Sequence, residues 1–118
     1  IDPASPVQKQ LFDAVTAGLH GVVMTNRGTA NRYFADAPYR ERVYGKTGTA
    51  TTTETRGERQ YSAWFAGWIE AGPKGAKGMG RRVAFACWVT HTRDFGGTAC
   101  APVIKKLLNA TETMEPIR

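Results

Sequence analysis

The sequence predicts an α+β domain, an antiparallel meander of about three strands flanked by helices. Three observations carry this. Two segments, YSAWFAGWIE and RRVAFACWVT, alternate apolar residues on both faces of an extended chain. The stretch between them is rich in glycine, as a hairpin connection allows. Toward either end of the chain the apolar residues recur at steps of three and four, the period of an amphipathic helix.

The elements follow in order. In PVQKQLFDAVTAGLHGVVM, residues 6–24, Leu11, Val15, Leu19 and Val22/Val23 form one stripe, and Pro6 is tolerated in the first helical turn. Gly, Asn, Asp and Pro break the period in TNRGTANRYFADAPYRER, which predicts a connector holding at most a short turn of helix. A short strand is expected over residues 42–50, and the polar TTTETRGERQ after it is expected to be an exposed loop.

In YSAWFAGWIE, Tyr61, Ala63, Phe65 and Ile69 share one face, with Trp64, Ala66 and Trp68 on the other. In RRVAFACWVT, Val83, Phe85, Cys87 and Val89 oppose Ala84, Ala86 and Trp88. From Ala99 onward Cys100, Ile104, Leu107, Leu108 and Thr111 fall on one face of a second long helix, and the polar tail TETMEPIR is expected to fray. Strands apolar on both sides need cover on both sides. Three strands and two helices leave that cover incomplete and a strand edge open, so residues 1–118 are expected to be part of a larger domain.

With 42% apolar and 22% charged residues the chain is globular in composition, not disordered. No apolar run reaches about 18 residues, the minimum for a membrane span. IDPASPVQKQ has no signal-peptide pattern, which leaves room for an export signal or anchor upstream. The net charge of +6 suits an anionic partner such as a carboxylate-bearing substrate, an acidic polymer or nucleic acid, or else reflects a well-solvated surface. Cys87 and Cys100 make no disulfide framework, and two buried thiols are expected over one bridge.

Several chemistries are excluded residue by residue. A phosphate loop around GKT needs a glycine where Arg40 stands, and no G-x-G-x-x-G occurs. Cys87 and His91 on one strand lie roughly 13 Å apart, whereas two zinc ligands sit within about 4 Å of each other; no metal or other cofactor is expected, and Cys100 alone makes no site. His20 has no carboxylate near it in sequence to serve a general base, and the NAT triplet at 109–111 is taken as surface. Nucleic acid recognition would interleave exposed aromatics with basic residues. Here the aromatics alternate into the apparent core, while Arg56, Arg59, Lys74, Lys77, Arg81 and Arg82 cluster in expected loops.

What remains is ERVYGKTGTA, a strand with almost no bulky residue. Lys46 and Gly48 fall on one face, Thr47 and Thr49 on the other. Gly45 and Gly48 remove Cβ atoms where something approaches the backbone closely. Such an edge can receive an extended ligand as an added strand, with a carboxylate held by the hydroxyls. An edge lysine that guards against aggregation would account for Lys46, but not for two glycines and two threonines around it.

Lys46-Thr47-Gly48-Thr49-Ala50 opening a strand, AWFAGW on the next, the helix ending in VVMTNRGTA, and VAFACWV leading to GGTACAPVIKKLL together resemble penicillin-binding transpeptidase domains over residues 10–109. The match is to the class that cross-links peptidoglycan; serine β-lactamases and β-lactam sensor domains share the fold more distantly. The resemblance implies the C-terminal part of a β-lactamase/transpeptidase-like fold. It also implies an acyl-enzyme mechanism on D-Ala-D-Ala stem peptides that β-lactam antibiotics mimic, in an extracytoplasmic setting. By it Lys46 supplies cleft charge and bonds the hydroxyl of the family's second motif. Thr47 and Thr49 hold the substrate carboxylate, the Thr49 N–H donates in the oxyanion hole, and Gly48 admits the substrate backbone.

The chain departs from the family in having only two serines, Ser5 and Ser62. Neither starts S-x-x-K, since Gln8 and Phe65 stand at the lysine position, and Trp64 occupies the asparagine position of S-x-N after Ser62. In the family both motifs lie N-terminal to the region matched here. This chain alone is therefore expected to be inactive, its partner being the rest of the transpeptidase domain in the same parent or a second chain. A stand-alone binding module for peptidoglycan or another anion is the alternative from a different class.

Overall fold

A computed structural model describes residues 2, 4–55 and 57–114. Ser5 starts the first helix, its hydroxyl accepting from the Gln8 N–H, and Pro6 fills a position with no N–H to satisfy. The helix, α1 (Pro6–Met24), ends at Thr25, whose Oγ1 donates to the Gly21 carbonyl at 2.7 Å. The predicted stripe is only half used. Val23 is fully buried, while Val7, Leu11, Phe12 and Val15 are 49–64% exposed, because within the described residues nothing lies against the first turns.

The connector holds one helical turn, α2 (Asn31–Phe34), and a 3₁₀ turn at Arg40–Arg42. Its role is to deliver Phe34 and Tyr39 into the core, where their rings meet edge to face.

Three antiparallel strands follow in sheet order β1-β2-β3: β1 (Val43–Thr55), β2 (Glu58–Ile69) and β3 (Val83–Thr92). The expected loop TTTETRGERQ is instead the tip of the β1–β2 hairpin. Thr53↔Gln60, Glu54↔Arg59 and Thr55↔Glu58 are paired, and Gly57 turns the chain with φ of 76°. The hairpin arms extend past the core, where Thr51, Thr52, Glu58 and Arg59 are exposed. Polarity therefore does not distinguish strand from loop, whereas a run of β-branched threonines favours the strand. Arg59 consequently sits in a strand; Arg56 and the tail from Glu115 lie outside the described residues.

One face of the sheet is covered by the last helix, α3 (Gly96–Glu112). Val43, Ala63, Phe65 and Ile69 from the sheet pack with Cys100, Ala101, Ile104 and Leu108 from α3, closed by Val23 and Phe34. Leu107, expected on the buried face, is half exposed, since the seated stripe runs 100–104–108 with Ala101. On the opposite face His20 of α1 covers Tyr44, but among the described residues β2 and β3 are open there: Trp64 and Trp88 stack at 5.1 Å and are 42% and 58% exposed.

Polar contacts tie the end of α3 to the connector. Arg42 pairs with Glu112, Lys105 with Asp36, and the Tyr39 hydroxyl reaches the Lys105 carbonyl and Asn109. Cys87 and Cys100 are free thiols. Cys100 donates to the Ala63 carbonyl at 3.3 Å, and burial pushes its pKa up to about 12.

Candidate functional site

The site is built on the outer edge of β1. The Glu70 N–H donates to the Arg42 carbonyl at 2.8 Å. From there the register with β2 runs unbroken from Val43↔Ile69 to Thr51↔Tyr61. Residues of an antiparallel pair alternate between hydrogen-bonded and non-hydrogen-bonded positions. Tyr44, Lys46, Gly48 and Ala50 therefore bond to β2, and the backbone N–H and C=O groups of Gly45, Thr47 and Thr49 point to the free edge.

Side chains sort by the same alternation. Thr47 and Thr49 stand on the face that α3 covers, Thr47 being 7% exposed and Thr49 open. Lys46 lies on the other face; its Nζ wraps round the edge and donates to the outward carbonyl of Thr47 at 2.7 Å. The hydroxyls and the ammonium thus flank one edge from its two sides.

Gly45 and Gly48 differ. A Cβ at Gly45 would lie 2.7 Å from the Phe65 ring and 2.9 Å from the Ala66 carbonyl, so what approaches Gly45 is the protein's own core. A Cβ at Gly48 would meet only the Trp64 Cβ at 3.5 Å, an ordinary contact, so packing within the chain does not demand glycine there.

Two other segments close on the edge. The loop after α1 brings Thr29, whose Oγ1 lies 2.6 Å from Thr47 Oγ1. The first turn of α3 brings Gly96, whose N–H donates to Thr49 Oγ1 at 3.0 Å. Both approaches depend on missing side chains: a Cβ on Gly96 would lie 2.3 Å from the Gly48 carbonyl, and one on Gly97 2.4 Å from the Thr29 carbonyl. Among them opens a cavity of about 480 Å³, lined by Thr29, Thr47, Thr49, Arg32, Thr98 and neighbouring loop residues. Arg32 spans part of its wall, donating to Thr98 Oγ1 at 3.2 Å and to the Tyr33 hydroxyl. Among the described residues no acidic side chain lines the cavity, so its hydroxyls, cation and outward N–H groups suit an anion.

Of the sequence-predicted residues, Thr47 and Thr49 line this cavity; Lys46 and Gly48 adjoin it along the edge without lining it. Thr29, Arg32 and Thr98 carried no predicted role. Thr29 stands within the quoted Gly-Thr-Ala, but no spacing rule links it to a strand position eighteen residues on.

The other residues weighed in the sequence have local partners. His20 stacks on Tyr44 at 4.7 Å, with Nε2 2.8 Å from the Glu41 carbonyl. His91, at a register shift in the β2–β3 ladder and with φ of 52°, bonds Gln60 rather than approaching Cys87. Among the described residues no cluster of three His, Cys, Asp or Glu side chains is placed to hold a metal ion. No described helix is long and apolar enough to cross a membrane.

No curated protein and no solved structure gives a significant match to the chain. Residues 2–109 match the model of the penicillin binding protein transpeptidase domain. That match covers nearly the whole chain, including α1, α2, the three strands and α3 as far as Asn109. The chain therefore belongs to the penicillin-binding protein transpeptidase domain family, whose work is peptidoglycan cross-linking.

Proposed function

We propose that residues 1–118 are the C-terminal segment of a serine D,D-transpeptidase domain and form the substrate-holding wall of its cleft. The observation that carries this is the convergence at β1: outward N–H groups of Thr47 and Thr49, their hydroxyls, and, on the same edge, a cavity with no acidic side chain among the described residues. A stem peptide, or a β-lactam in its place, lies along β1 as an added strand. Its terminal carboxylate is held by the hydroxyls of Thr47 and Thr49, and the outward Thr49 N–H donates to the oxyanion that forms on acylation, a contribution worth about 3 kcal/mol at such sites. Gly48 leaves room for the substrate backbone. Lys46 supplies positive charge and, on meeting the rest of the domain, exchanges the Thr47 carbonyl for the hydroxyl of an S-x-N motif.

The nucleophile is supplied from outside this chain, since neither Ser5 nor Ser62 begins S-x-x-K. Ser62 is also 7% exposed and faces away from Thr47 and Thr49 along the β1–β2 register. The open sheet face at Trp64 and Trp88 and the exposed stripe of α1 support the same view, for they are surfaces the remainder of the domain would cover. The domain works on the extracytoplasmic side of the membrane, where peptidoglycan is assembled.

The test is incubation with a reporter-labelled penicillin, followed by intact mass of each polypeptide and mapping of the labelled residue. A label on a serine of S-x-x-K outside residues 1–118 is expected. A label on Ser5 or Ser62 would overturn the assignment of the nucleophile, and no label on a preparation containing the whole domain would overturn the activity.

A further inference from the structure

We propose that Thr29 is a positioning residue for the anion held at Thr47: its hydroxyl donates to Thr47 Oγ1 and so aims the Thr47 proton at the ligand. This rests on the carboxylate-holding role proposed above for Thr47 and extends it to a residue on a different segment of the fold.

Two hydroxyls 2.6 Å apart share one proton between them. They own two, so one proton leaves the pair. Neither hydroxyl has another hydrogen-bond partner among the described residues. The remaining proton is therefore free for a ligand in the cavity both residues line, whose other polar groups include Arg32 and Thr49 and which among the described residues holds no carboxylate. When an anion enters, the favourable order is Thr29 to Thr47 to anion, because a hydroxyl that accepts one hydrogen bond donates a stronger one.

Burial assigns the direction. Thr47 is 7% exposed, so little water competes to reorient its hydroxyl, whereas Thr29 is exposed and acts from the cavity rim. The Thr29 backbone is itself fixed. Gly28 N–H bonds the Thr25 carbonyl at 2.9 Å, Ala30 N–H bonds the Val22 carbonyl at 3.1 Å, and Gly97 packs directly on the Thr29 carbonyl. The loop after α1 thereby sets the donor direction of a strand residue it never pairs with.

The experiment measures second-order acylation rates of the complete transpeptidase with a penicillin and with its methyl ester, for parent, Thr29→Val, Thr29→Ser, Thr47→Val and the double valine variant. Thr29→Val is expected to slow the penicillin by about five-fold, the worth of one hydrogen bond, with little change on the ester. Thr29→Ser should restore the rate, and the double variant should be no slower than Thr47→Val alone. A parental rate for Thr29→Val beside a slowed Thr47→Val overturns the role of Thr29. So does failure of serine to rescue, or an equal loss on the ester. A parental rate for Thr47→Val overturns instead the carboxylate-holding role on which the inference rests.

Discussion

Gly96→Ala tests whether the cavity depends on how closely α3 sits on the sheet. The added methyl would lie 2.3 Å from the Gly48 carbonyl oxygen, 2.5 Å from that of Trp64 and 3.0 Å from the Gly48 nitrogen. These are backbone atoms inside the β1–β2 ladder and cannot swing away. An unstrained contact needs about 3.5 Å, so the first turn of α3 must lift by about 1 Å. Overpacking of this kind costs about 1–3 kcal/mol. The lift also draws the Gly96 N–H from Thr49 Oγ1, now at 3.0 Å, and a lost hydrogen bond adds about 1 kcal/mol. Gly18→Ala is the control, because a Cβ there meets nothing within 4 Å and a mid-helix alanine stabilises by about 0.5–1 kcal/mol. Urea denaturation of the two variants should therefore shift in opposite directions, about 2.5–5 kcal/mol apart. Penicillin acylation should fall about ten- to hundred-fold for Gly96→Ala, as a displacement of about 1 Å can cause. Equal denaturation midpoints for the two variants would refute the steric reasoning.

Other outcomes follow from the same geometry. Thr49→Val should slow acylation by about ten- to hundred-fold, the worth of a hydrogen bond to a charged group, while unfolding shifts by only about 1 kcal/mol; a larger loss of stability than of rate would count against a ligand-binding hydroxyl. Ile104→Ala, emptying a site that is 1% exposed, should cost about 2–5 kcal/mol in urea denaturation, whereas Leu107→Ala, half exposed, should cost well under half as much. Alkaline stability should fall between about pH 9 and 12. Burial raises Cys100 and Tyr39 each to about 12, from ordinary values of 9.0 and 10.0, so the unfolded chain releases these protons first and stability is lost as pH rises through that window. Denaturation midpoints against pH should show Cys100→Ala delaying the onset toward pH 10, and a profile flat to pH 11 would contradict the burial of both groups.

The central strands were legible because their signal is local. Alternation in YSAWFAGWIE and RRVAFACWVT assigned each side chain to the face it occupies, and the edge character of KTGTA followed from its missing bulk. The hairpin tip was not legible, because Thr51, Thr52, Glu58 and Arg59 lie beyond the core and burial leaves no imprint on such residues. Leu107 and the first half of α1 misled for a related reason: period gives the stripe but not how much of it finds a neighbour. The cavity escaped almost entirely. It is made where Thr29, Thr47 and Gly96 meet, three points separated by eighteen and forty-nine positions, and only tertiary packing brings them together.

The polar ties of α3 carry a kinetic consequence. Tyr39 to Lys105, Lys105 to Asp36, and Arg42 to Glu112 join residues 66, 69 and 70 positions apart, and the buried residues of α3 complete the core against strands made much earlier. Until that helix arrives, only the end of α1 and the connector stand against the core face of the meander. Seating that helix must therefore close long loops, the circumstance in which domains fold slowly. During synthesis the core face of the three strands waits half covered until the ribosome has released the chain to about residue 112.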